Sequence, residues 1–208
     1  MKNILLPIFI MMSLFSSNGI KAQVDYKKGA LDALINSYND LESAVSNLTQ
    51  DELYYKPKDG GWSVMNCLEH LAIVEELLVG KISQSIAENN VDMTKDLSAN
   101  DWLVISQVGD RGNKVVTPEP FRPKVENAKK TKEDFLKGIK DLRNELIALV
   151  EKTDVDLRHI FGPYPYGEAD GIQRCYVVGV HTFRHTMQLK EVLKEYDENT
   201  SSQVVSKK

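Results

Sequence analysis

With only two cysteines, Cys67 and Cys175, among 208 residues, the chain cannot be a small disulfide-stapled scaffold. At most one bridge can form. One disulfide, two buried free thiols and a thiol beside a metal stay open as alternatives. The chain also lacks the short motifs of several chemistries. It has no G-x-S-x-G, no Walker-type Gly-Lys-Ser/Thr stretch, no paired C-x-x-C and no H-E-x-x-H. Two Glu-x-x-His motifs would mark a di-iron carboxylate bundle, and these are missing too. The formal net charge is −4 and there is no basic cluster, so nucleic acid finds no electrostatic footing. There is no internal repeat and no convincing strand pattern.

The one strongly apolar run is Ile4 to Phe15, broken by Pro7 and Ser13. It follows the weakly basic head at Lys2 and precedes a polar stretch with Ala22 before Gln23. That order predicts a secretory signal over residues 1–22 and a mature chain over 23–208, secreted or periplasmic. The run is shorter than the about 20 residues that span a bilayer. An uncleaved anchor is the rival reading. Removing Lys2 and Lys21 with the leader brings the charge to −6. No further apolar span follows, so no membrane crossing is expected of the mature form.

Helical periodicity dominates the rest. Leu31, Leu34, Ile35, Tyr38, Leu41, Val45 and Leu48 recur at steps of three and four, predicting a helix over Lys27–Leu48. Ser63 reads as an N-cap opening a second helix to about Glu88. A mixed segment follows, with a short helix over Asp101–Val108 and an extended end at Pro118, Pro120 and Pro123. Thr131 to Asp134 resembles a capping box and starts a third helix to about Val150. A Gly-Pro loop leads to a last helix over Ile172–Tyr196 with no evident cap, then a polar tail from Asp197 that is expected to be disordered. Four long amphipathic helices make the expected class all-α, a four-helix bundle. The segment between the second and third helices is long enough to cross the bundle.

Two of the four histidines, His181 and His185, stand four apart on the last helix, so both imidazoles leave one face. Val177, Val178, Gln188 and Val192 share that face, which therefore looks inward. A third candidate, His70, flanks the apolar stripe of the second helix. Each has a bland reading as a structural polar residue. Two imidazoles and one more donor are also a usual ligand set for a divalent zinc, nickel or iron ion, and bundle sites draw ligands from facing helices.

Gly61-Trp62-Ser63-Val64, then Leu68-Glu69-His70-Leu71 and Glu75, resemble the first signature of the DinB-like superfamily. Phe161-Gly162, followed by His181-Thr182-Phe183-Arg184-His185-Thr186-Met187-Gln188, resembles its second. The resemblance covers essentially the whole mature chain. It implies a four-helix bundle with a long crossover connection, and a metal held by His70, His181 and His185 with open positions filled by water. It also implies one of two reactions on an unknown small molecule: thiol transfer to an electrophile, or hydrolysis by metal-bound water. Export disfavours the first, because cofactor thiols are mainly cytosolic.

Several neighbours bear on the site. Glu75 falls inside an apolar stripe, where a carboxylate must be paired or protonated. It is a candidate to orient a ligand or act as a base, against a side chain that snorkels to solvent. Gln188 is a candidate hydrogen-bond partner of a ligand or of bound water, against an interhelical bridge. Arg184 can pair with Glu75, meet an anionic substrate, or simply face solvent. Trp62 reads as a core anchor, and Tyr164 and Tyr166 as loop packing. His159 matches no ligand position. Two other readings stand beside the enzyme: a non-catalytic metal-binding or stress-associated envelope module, and a helical interaction domain with structural histidines. A homodimer stays open.

Overall fold

The computed structural model describes residues 16–112, 115–124 and 130–205. The apolar core of the expected leader therefore lies outside the described residues, while residues 16–22 begin the first helix. Among the described residues no helix is long and apolar enough to cross a membrane.

Among the described residues, six α-helices and one hairpin follow in the order α1 (Ser16–Val45), α2 (Gln50–Tyr54), α3 (Val64–Glu88), α4 (Asp101–Gly109), α5 (Lys132–Lys152), β1 (Phe161–Tyr164), β2 (Gly167–Asp170) and α6 (Gly171–Val205). Local chemistry sets their starts. Ser63 caps α3 in a reciprocal box with Asn66, and Thr131 caps α5 with Asp134, as its sequence predicts. Thr49 and Glu52 do the same for the short α2. Each such cap contributes about 1 kcal/mol. Helix α3 stops at Asn89, whose left-handed φ of 49° turns the chain out while its N–H bonds the Ser85 carbonyl.

Helices α1, α3, α5 and α6 form the bundle. Tyr38, Leu41, Met65, Leu68, Phe135, Ile139 and Leu189 pack at one end. Ala30, Leu34, Val79, Ile82, Leu146, Val150, Ile172 and Val178 pack at the other. The early residues of α3 thus meet the early residues of α5, and late meets late. The two helices run parallel, so their connection must travel back along the bundle, as its length predicts. It does so carrying α4, which packs on α6 through Val104, Val108 and Val177, and a 3-10 turn at Glu119–Phe121. Helices α1 and α6 also run parallel and approach closely. A side chain at Gly179 would put its Cβ 2.9 Å from the Ala33 carbonyl oxygen.

Four polar side chains divide the two apolar clusters. Arg143 of α5 is fully buried and pairs both nitrogens of its fork with Glu75 of α3, Nη2 to Oε2 at 2.9 Å. Its Nη1 donates to Ser37 Oγ at 2.9 Å and to the Leu34 carbonyl of α1, and its Nη2 donates to Thr182 Oγ1 of α6 at 3.0 Å. One guanidinium thus ties all four helices at mid-height.

Three expectations need correction. The Gly-Pro loop before the last helix is an antiparallel hairpin, with Phe161 opposite Asp170 and Tyr164 opposite Gly167. Its strands are short and hold Pro163 and Gly162, so they offer no alternation to read. Helix α6 is capped after all: Gln173 N–H donates to Asp170 Oδ1 at 2.8 Å, and Asp170 N–H to Gln173 Oε1 at 3.0 Å. Helix α6 also continues through the polar residues from Asp197 to Val205. Asn199 there donates to Tyr55 Oη, and Thr200 and Ser202 hydroxyls bond back to carbonyls of the preceding turn.

Candidate metal centre

His70 sits seven residues past the Ser63 cap of α3, and α6 runs antiparallel to α3 beside it. That pairing brings the one imidazole of α3 against the two of α6. The ligand-capable atoms of His70, His181 and His185 all lie within 4.8 Å of one another. His70 Nε2 is 3.3 Å from His181 Nε2. Two nitrogens held at 2.0–2.1 Å from one tetrahedral zinc stand roughly 3.3 Å apart, so the pair fits a shared ion without rearrangement.

Two rings have their far nitrogens engaged. His70 Nδ1 donates to the Phe121 carbonyl at 2.7 Å, and His185 Nδ1 donates to Gln188 Oε1 at 2.9 Å. Both acceptors are carbonyl oxygens, so each ring proton sits on Nδ1 and each Nε2 keeps its lone pair. Trp62, just before the cap, packs its ring 4.8 Å from the His70 ring and nearly parallel to His185 at 5.9 Å between centroids. It is less a remote core anchor than a wall of the site.

Electrostatics keep the rings neutral, the form that ligates metals. Burial lowers the pKa of His70, and the Phe121 hydrogen bond partly opposes it. His185 is driven well below the ordinary value by burial, then by His181 and His70. His181 falls to about 3, first through burial, then through the charges of His70, Arg184 and Arg143. His181 nonetheless keeps some accessible surface, whereas His70 and His185 are buried.

The other candidates fall in different places. Gln188 lies in the site. Glu75 is buried and paired, but both of its oxygens accept from Arg143 rather than from an imidazole. Of the three readings open to Arg184, pairing with Glu75 is the one that Arg143 takes over, because Arg143 reaches Glu75 from the facing helix. Arg184 instead lies buried near Arg111, Asp110, Tyr166 and Glu191. Tyr164 donates to Gln107 Oε1 at 2.8 Å and packs edge-on against Tyr166. His159 pairs with Asp156 at 2.7 Å, apart from the triad.

No disulfide forms. Cys67 and Cys175 are free and buried, and burial pushes both thiols up to about 12. They lie early in two antiparallel helices and so at opposite ends of the bundle, beyond any bridging distance. Neither belongs to the histidine cluster.

Two contributors were absent from the sequence expectations. The Phe121 carbonyl is a backbone group and leaves no sequence signal. Arg143 did leave one, since it interrupts the stripe of Phe135, Ile139, Leu146 and Val150 on α5. Two opposite charges inside facing apolar stripes point to each other.

The sequence profile of the DinB superfamily matches residues 33–189, a span holding all three histidines and the whole polar layer. No curated protein and no solved structure matches the chain significantly.

Proposed function

The chain belongs to the DinB superfamily, and from that premise we propose that it is a metal-dependent enzyme acting on a small molecule. His70, His181 and His185 hold one divalent ion. The observation that carries the reading is the pair of engaged Nδ1 atoms, on His70 and His185, which leaves each Nε2 free to face the cluster. Structural histidines have no need of that shared orientation.

A divalent ion at this position supplies Lewis acidity, polarising a substrate or lowering the pKa of a water or thiol that reaches it. The chain's own residues do the rest. The Phe121 carbonyl and Gln188 hold two rings at the correct tautomer. Trp62 shields the His70 and His185 side from water. His181 carries the accessible side, where a substrate can approach. Glu75 acts one step removed, by fixing Arg143 and through it Thr182, the residue next to His181. Hydrolysis is the favoured reaction over thiol transfer, because the chain is proposed to be exported through the leader at 1–22. A mature N-terminus near Gln23, found by intact mass of protein from its host, tests that export.

A non-catalytic metal-binding module is the second reading. It is favoured by Glu75, whose two oxygens are both committed to Arg143 and are not placed to take a proton from a substrate. Cobalt-loaded protein separates the two. An enzyme's open coordination sphere changes its visible spectrum when azide or a small thiol is added, and a closed one does not.

A further inference from the structure

The crossover reaches the histidine cluster through one short stretch, Pro118 to Lys124. Pro118, Pro120 and Pro123 limit its backbone freedom, and it folds on itself. The Phe121 N–H bonds the Pro118 carbonyl at 3.0 Å, and Arg122 Nε reaches back to the Thr117 carbonyl at 2.8 Å. Its burial is slight. Pro118, Glu119, Pro120, Arg122 and Lys124 are exposed, and Phe121 and Pro123 are only part-buried. Segments that bury so little open locally at low free-energy cost.

Two hydrogen bonds tie this stretch to α3, and they fall on adjacent residues of that helix. The Phe121 carbonyl accepts from His70 Nδ1 at 2.7 Å. Three residues on, the Lys124 backbone N–H donates to Glu69 Oε2 at 2.6 Å. Neighbouring side chains leave a helix about 100° apart. The crossover is thus held on one side by the ring it orients and on the other by a carboxylate. A carboxylate accepting from a backbone N–H makes the stronger, charge-assisted kind of bond. Among the described residues Glu69 makes no other hydrogen bond or ion pair, and it stands outside the histidine cluster.

We propose that Glu69 is a positioning residue of the metal centre, whose carboxylate clasps the crossover at Lys124 and so keeps the Phe121 carbonyl on His70 Nδ1. The proposal rests on the metal-centre reading. Without the clasp the stretch swings away and takes the Phe121 carbonyl with it. The His70 proton is then free to move to Nε2, the nitrogen that must ligate. The coupling also runs in the other direction. An ion on Nε2 makes Nδ1–H a stronger donor, so metal should tighten the crossover, as reciprocity between linked sites requires.

Hydrogen exchange over residues 115–124, zinc competition against a chelator, and nitrogen-15 spectra of the histidine rings test this on the full chain. In wild type, zinc should slow exchange across the stretch. Glu69→Ala should speed exchange there in the metal-free protein and mix the two tautomers of His70. It should also weaken zinc binding about tenfold, the lower end for loss of an orienting group. Glu69→Gln keeps an oxygen acceptor and should recover most of each effect. Lys124→Pro removes the donor from the other side and should match Glu69→Ala, with no further loss when the two are combined. Glu76→Ala, at an exposed acid on the same helix, should change none of the three readings. If Glu69→Ala keeps a single His70 tautomer and the wild-type zinc affinity, the clasp is overturned and the metal reading stands. If wild type takes no zinc, the metal reading fails, and faster exchange with mixed His70 tautomers in metal-free Glu69→Ala would still support the clasp. Should Glu69→Ala not fold, as judged by circular dichroism, Lys124→Pro carries the same comparison from the exposed side.

Discussion

His185 Nδ1 lies 2.9 Å from the side-chain oxygen of Gln188, three residues further along the same helix. An amide oxygen can only accept, so this contact decides which nitrogen of His185 holds the proton and which can ligate a metal. His70 obeys the same logic with a backbone carbonyl as its acceptor. The orientation of both rings is therefore set by one side chain on α6 and one peptide group on the crossover.

Replacing Gln188 should weaken metal binding without unfolding the bundle. Gln188 is only partly buried, so Gln188→Leu leaves the core intact. Loss of such an orienting acceptor typically costs 10–100-fold in affinity. Competition against a chromogenic chelator measures it. Unchanged affinity would mean that the ring needs no such anchor.

Glu75→Gln should be costly in a different currency. The change leaves Arg143 charged and unpaired between two apolar clusters, and breaking a buried pair from one side costs about 3–5 kcal/mol. Urea unfolding of the metal-free protein reads this directly. Glu75→Leu combined with Arg143→Met should recover most of the loss, since it removes both charges. A loss of 0.5 kcal/mol or less, the scale of an ordinary surface change, would contradict the buried ion pair.

Much of this was legible in the sequence, and the misses share a physical cause. Helices α3, α4 and α5 begin where caps and apolar steps place them, because capping and periodicity are local. The three histidines and Gln188 were visible as one face of a helix and one flank of another. Glu75 was visibly in need of a partner, yet its partner required knowing that α3 and α5 run side by side. The hairpin was hidden because Phe161–Tyr164 carries Gly and Pro rather than β-branched residues, and its pairing with Gly167–Asp170 is what makes it a strand. The Asp170–Gln173 cap could have been read from its spacing. The Phe121 carbonyl could not, since any residue supplies the same group.

Acid should destabilise the metal-free protein earlier than it would a bundle without this cluster. Burial holds His70, His181 and His185 below the ordinary histidine value. Above about pH 6.5 the rings are neutral in both folded and unfolded chains and cost nothing. As pH falls below that value the unfolded chain takes up protons that the folded chain refuses, so stability declines, continuing toward about pH 3 for His181. Each such proton changes stability by about 1.4 kcal/mol per pH unit. Urea midpoints at pH 7.5, 6.5 and 5.5 should fall across the last step. A flat profile, or ring signals in the NMR spectrum that titrate normally, would contradict the burial of the cluster.

The central claim is that three histidines from two helices make one metal site. Elemental analysis of protein purified without chelators or an affinity tag tests it most directly. Wild type should carry about one divalent ion per chain, as a single three-ligand site requires. The His181→Ala, His185→Ala double variant, which leaves His70 alone, should carry none while keeping its helical content. Equal metal in the double variant, or none in wild type after incubation with zinc, nickel and iron, would contradict the account.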